Sequence, residues 1–104
     1  TCGRIGYLHQ ANDKWALIVR NFNVNPAGEY VDVPWDDPED QGYSKQACNV
    51  NSKLGSFSEL EYHIPAIGNE TGRLRCDDVA QVWAFRGRQT DILPIARRLV
   101  SSEI

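Results

Sequence analysis

Methionine is missing from all 104 residues, position 1 included. A chain that opens Thr1-Cys2-Gly3 and runs almost at once into strand-like sequence reads as a processed product or as a piece of a longer chain. The second is the stronger expectation. No apolar run approaches the ~20 residues that span a bilayer. The first ten residues lack the charged-then-apolar ramp of a secretory signal. A basic stripe is lacking too. The net charge is −3 and the pI is near 5.2. The one basic cluster, Arg86, Arg88, Arg97 and Arg98, is diluted by acidic neighbours. Neither a nucleic acid held through its phosphates nor a membrane is an expected partner.

Cysteine and histidine are sparse. Cys2, Cys48 and Cys76 are too far apart for paired zinc motifs, and their odd number leaves at least one thiol unpaired within the chain. His9 and His63 are the two histidines, and they form no His-x-His pair. There is no internal repeat and no low-complexity tract. Gly68 and Gly72 are too loosely spaced for a phosphate loop.

What is present is β-like. A hydrophobic fraction of 41% and an aromatic fraction of 10% fit one folded domain, or a domain fragment, over 1–104. Gly3–Gln10 reads as a strand, Ala11-Asn12-Asp13 as a turn and Lys14–Val24 as the returning strand of a hairpin. Glu29–Val33 reads as a short strand. Pro34–Gly42, with two prolines, reads as a loop. Tyr43–Val50 and Ser56–Ile64 are strands about a turn at Asn51–Gly55. Val79–Arg86 is another strand. Thr90 is placed to cap a helix over Asp91–Ser102, with Pro94 near its first turn. Ile92, Ile95, Ala96, Leu99 and Val100 give that helix an apolar stripe. The expected fold is mainly β: an antiparallel sandwich or barrel, or part of a larger one, with one C-terminal helix.

The chemistry concentrates in Ser56–Ile64. On a strand, successive side chains point to opposite faces. Ser58, Leu60, Tyr62 and Ile64 then share one face, and Phe57, Glu59, Glu61 and His63 share the other. Two carboxylates roughly 7 Å apart beside an imidazole can hydrogen-bond a polar ligand, move protons or contribute to a metal site. The same row also suits a solvated sheet face. Trp35 with Asp36, Asp37, Glu39 and Asp40 forms a second group. An aromatic plate ringed by carboxylates suits a sugar, although a solvated acidic turn has the same composition. Thr1 has the chemistry of an N-terminal nucleophile, but nothing downstream supports it. Cys48 and Cys76 read as core residues or a disulfide pair. Asn69-Glu70-Thr71 is a formal glycosylation sequon.

Phe57-Ser58-Glu59-Leu60-Glu61-Tyr62-His63-Ile64-Pro65, then a loop and the strand ending Val82-Trp83-Ala84-Phe85, resembles the closing strands of the galactose-mutarotase-like β-supersandwich. The resemblance covers about positions 14–86 and implies the last third of a longer carbohydrate-associated domain. It implies that Glu59 or Glu61 stands where the family keeps a catalytic base. The family's partner histidines would lie upstream of this chain, and its sugar-contacting Asp has no assigned position here.

The expected function is sugar binding or processing, with Glu59 and Glu61 as acid–base residues and His63, Trp35, Trp83 and Asp36 as ligand contacts. Turnover would be sugar epimerisation or glycoside chemistry, and binding alone is equally compatible. No particular cofactor is indicated. One alternative is a small metal-binding β-barrel using Glu59, Glu61 and His63. Another is an assembly domain without a small ligand, which pairs with its own copies or with a missing portion of the chain.

Overall fold

The computed structural model describes residues 2–33, 36–39 and 42–104. Among these the chain is mainly β, with two antiparallel sheets, one C-terminal helix and no closed barrel. The strands are β1 (Cys2–Ala11), β2 (Lys14–Asn23), β3 (Lys45–Ser52), β4 (Gly55–Tyr62) and β5 (Gln81–Gly87). The helix α1 covers Gln89–Leu99. None of the described helices is long and apolar enough to cross a membrane. The chain divides into two compact units: residues 1–3 with 22–79, and residues 4–21 with 80–104.

The second unit holds most of the three-stranded sheet, in the order β1-β2-β5, together with α1. Asn12 and Asp13 make a tight turn between β1 and β2. Asn12 takes a left-handed φ of 58°, a conformation that Asn tolerates better than most residues. Along β2 the alternation is clear. Leu17 and Val19 are buried while Ile18 is exposed. Leu17 pairs with Phe85 and Val19 with Trp83. Leu17 and Val19 pack with Ile92 and Ala96 of α1, and Trp15, Phe85, Ile95 and Leu99 surround them. The apolar stripe read from the helix therefore forms half of this core.

The helix begins earlier than its capping signal suggests. Thr90 lies inside it, and Arg88 holds the N-cap position in extended backbone without a side-chain cap. The Arg88 carbonyl accepts from the N–H groups of Asp91 and Ile92. The Arg88 guanidinium donates to the Asp91 carboxylate at 3.0 Å, and Asp91 suits the positive end of the helix dipole. Pro94 falls past the first turn, so the helix forgoes the N–H that would reach the Thr90 carbonyl. At the other end the helix stops at Leu99, short of Ser102. Arg4 of β1 donates to the Leu99 carbonyl at 2.7 Å, satisfying one of the last acceptors.

The first unit is organised by the β3–β4 hairpin. Lys53 and Leu54 form its turn, and Gly55 follows with φ 115°. Glu29–Val33 is not a regular strand. It is nonetheless tied by backbone bonds from Tyr43 N to the Asp32 carbonyl and from Ala66 N to the Glu29 carbonyl. Too few consecutive ladder bonds form for a strand, but the segment is held in place. Phe22, 2% exposed, stacks on Tyr62 of β4 with ring centroids 5.3 Å apart. Gly3 lies against that Phe22 ring so closely that any Cβ there would collide with it.

Candidate functional site

The hairpin register decides which polar groups meet. Cys48 lies opposite Glu59, Gln46 opposite Glu61 and Val50 opposite Phe57. Directly paired residues of antiparallel strands share a face. One face of the hairpin thus carries Val50 and Phe57, then Cys48 and Glu59, then Gln46 and Glu61. His63 follows just beyond the end of β4. The opposite face has its own order. Ser58 donates to Asn49 at 2.6 Å and Ser56 donates to Asn51 at 3.0 Å, while Tyr62 rests on Phe22.

His63 is fixed from three sides. Its backbone N–H donates to the Ser44 carbonyl at 2.9 Å. Its Nδ1 lies 2.7 Å from the Tyr43 carbonyl oxygen. A carbonyl only accepts, so Nδ1 carries the proton there. Nε2 then points to Asp32 Oδ2 at 3.3 Å and to Glu61 Oε2 at 3.7 Å. The imidazole side chain is 21% exposed, against 49% for Asp32 and 42% for Glu61. The ring is therefore sheltered while its carboxylate neighbours meet solvent. Gly42 helps to make this possible. Its Cα approaches the Tyr30 carbonyl so closely that a Cβ would collide with it, which lets the next residue, Tyr43, bond to Asp32.

At the other end of the row, Cys48 Sγ donates to Glu59 Oε2 at 3.1 Å. That bond, partial burial, and the negative charges of Glu59 and Glu61 push the thiol above its ordinary pKa. Cys48 Sγ and one oxygen each from Glu59 and Glu61 lie within 4.8 Å of one another. All three cysteines are free, which removes the disulfide reading of Cys48 and Cys76.

The structure brings together Glu59, Glu61 and His63 as the strand alternation predicts. It adds Asp32 and Cys48, which the sequence reading did not place there. Asp36 is exposed in a turn. Trp35 and Thr1 lie outside the described residues. Trp83 belongs to the other compact unit, where it pairs with Val19 and stacks at 6.4 Å on Phe85. The expected metal set also changes. Among the described residues, the group with metal-ligand spacing is Cys48, Glu59 and Glu61, without His63. Cys48 was within reach of the sequence: a two-residue turn at Lys53-Leu54 places it opposite Glu59. Asp32 carried no such signal, because its position depends on a chain return through Tyr43.

Comparison with protein-family models, curated proteins and solved structures finds no match.

Proposed function

We propose that the Glu59–Glu61–His63 face, with Asp32 at its end, binds a carbohydrate. The observation that carries this is the anchored imidazole. Tyr43 holds Nδ1, so Nε2 and two partly exposed carboxylates present a fixed set of hydrogen-bonding groups. Nε2 and the two carboxylates all accept, so together they suit the donating O–H groups of a sugar. Phe57, 41% exposed on the same face, supplies an apolar plate for the C–H face of a pyranose. If turnover accompanies binding, Glu61 beside His63 is the pair for proton transfer in epimerisation or glycoside chemistry.

Calorimetric titration with a panel of mono- and oligosaccharides tests the proposal. At least one sugar gives saturable heat, and Glu61→Gln or His63→Ala weakens it about tenfold or more. Silence from the whole panel at tens of millimolar would sink the idea.

The Cys48, Glu59 and Glu61 spacing favours a second reading, a divalent cation bound at the other end of the row. Small rotamer adjustments would bring these atoms to the ~2.0–2.3 Å bond lengths of zinc. Cobalt substitution tests this: a thiolate-to-cobalt absorption band that Cys48→Ser abolishes supports it, and no band for the unsubstituted chain removes it.

A further inference from the structure

We propose that the concavity at the β1–β2 hairpin is a binding site for a small oxyanion, a phosphate ester or a carboxylate. The site lies wholly within the second compact unit and does not depend on the carbohydrate reading. It has a volume of about 320 Å³ and is lined by His9, Lys14, Trp15 and Arg86, with Ala11, Asn12 and Ala16 between them.

The register explains why the cations converge. Arg86 of β5 lies directly across from Ala16 of β2. Lys14 is two residues before Ala16 and so shares its face. That face is opposite the one on which Leu17 packs against α1. His9 is set by its neighbour, since its ring stacks on Tyr7 at 6.0 Å. Three nitrogen-bearing side chains from three adjacent strands thus line one hollow.

Among the described residues, no carboxylate lines it. Asp13, the nearest acid in sequence, sits in the turn and is not part of the lining. Asp91 is taken up by Arg88. Lys14 and Arg86 make no ion pair with any described acid. The surrounding field has the same sign. Residues 4–21 and 80–104 hold seven Lys and Arg against three Asp and Glu, a net of +4. An Arg fork matches the paired oxygens of phosphate or carboxylate, and a nearby ammonium adds a point charge. Ala11 and Ala16, with their short side chains, leave room for the ligand.

The test is an NMR titration of the whole chain at constant ionic strength, because surface electrostatics are screened by added salt. Inorganic phosphate, phenyl phosphate and benzoate are the probes. Saturable shifts of the His9 ring and the Lys14 and Arg86 side-chain signals are expected. A preference for phenyl phosphate over benzoate identifies a phosphate ester, and the reverse identifies a carboxylate. Arg86→Gln and Lys14→Gln each weaken binding about tenfold, and the double variant loses saturation. Arg98→Gln, an exposed charge change on α1, leaves affinity unchanged. Both lining cations are exposed, so unchanged Leu17 and Val19 methyl signals verify that the variants keep the fold. Linear, unsaturating shifts with all three probes would overturn the proposal, as would equal weakening by Arg98→Gln.

Discussion

Cys48 and Glu59 face each other across the hairpin, and their bond sets the chemistry of the thiol. The proton belongs to sulfur, because a neighbouring carboxylate opposes a second negative charge. A raised folded-state pKa means that the protonated thiol's contribution to stability is complete below the ordinary thiol value. It is lost as pH climbs through the raised one. Reactivity follows the thiolate. At pH 8.5, iodoacetamide modifies Cys48 several-fold more slowly than exposed Cys2, and Glu59→Gln narrows the gap. Peptide mapping by mass spectrometry reads both sites, and equal rates in the unsubstituted chain would contradict the assignment. The alternation that puts Glu59, Glu61 and His63 on one face was legible because a strand's period is two. Cys48 depended on an exact turn length, and Asp32 on tertiary contacts that no local pattern reports.

At the scale of elements, α1 earns its place through packing, with no side-chain cap to help it. Ile92 and Ala96 are buried against Leu17 and Val19, and the helix begins without the Thr90 cap that the sequence suggests. Ile92→Ala should cost about 2–4 kcal/mol through lost burial and the cavity left behind. Val82→Ala, at a position 60% exposed, should cost under about 0.5 kcal/mol. Chemical denaturation of both variants checks the contrast, and equal losses would mean that α1 does not carry the core. The two hairpins and the helix were legible because their apolar periods are strong. Glu29–Val33 has a strand's composition but finds only scattered backbone partners, so its extended sequence does not become a ladder.

At the scale of the molecule, a net charge of −3 conceals a division. Residues 1–3 and 22–79 carry eleven acids and four basic residues, a net of −7, while the remainder carries +4. The average charge therefore describes neither unit. The acidic unit contains the proposed sugar face and the basic unit contains the proposed oxyanion site. Each surface is matched in sign to the groups it is proposed to hold, since carboxylates accept from hydroxyls and cations attract oxyanions.

The pairing of Asn21 with Gln81 has a consequence for how the chain reaches its native state. Everything between them, including all of Phe22–Val79, leaves β2 and returns beside it as an excursion. Both hairpins are local and can close within microseconds. The β2–β5 ladder must instead bring together the ends of a loop of more than fifty residues, at an entropic cost of roughly 3–4 kcal/mol plus a constant. Formation of that ladder is therefore expected to follow the two hairpins, as the step with the highest contact order. The same adjacency makes the excursion a natural insertion, because its two ends already stand one strand spacing apart.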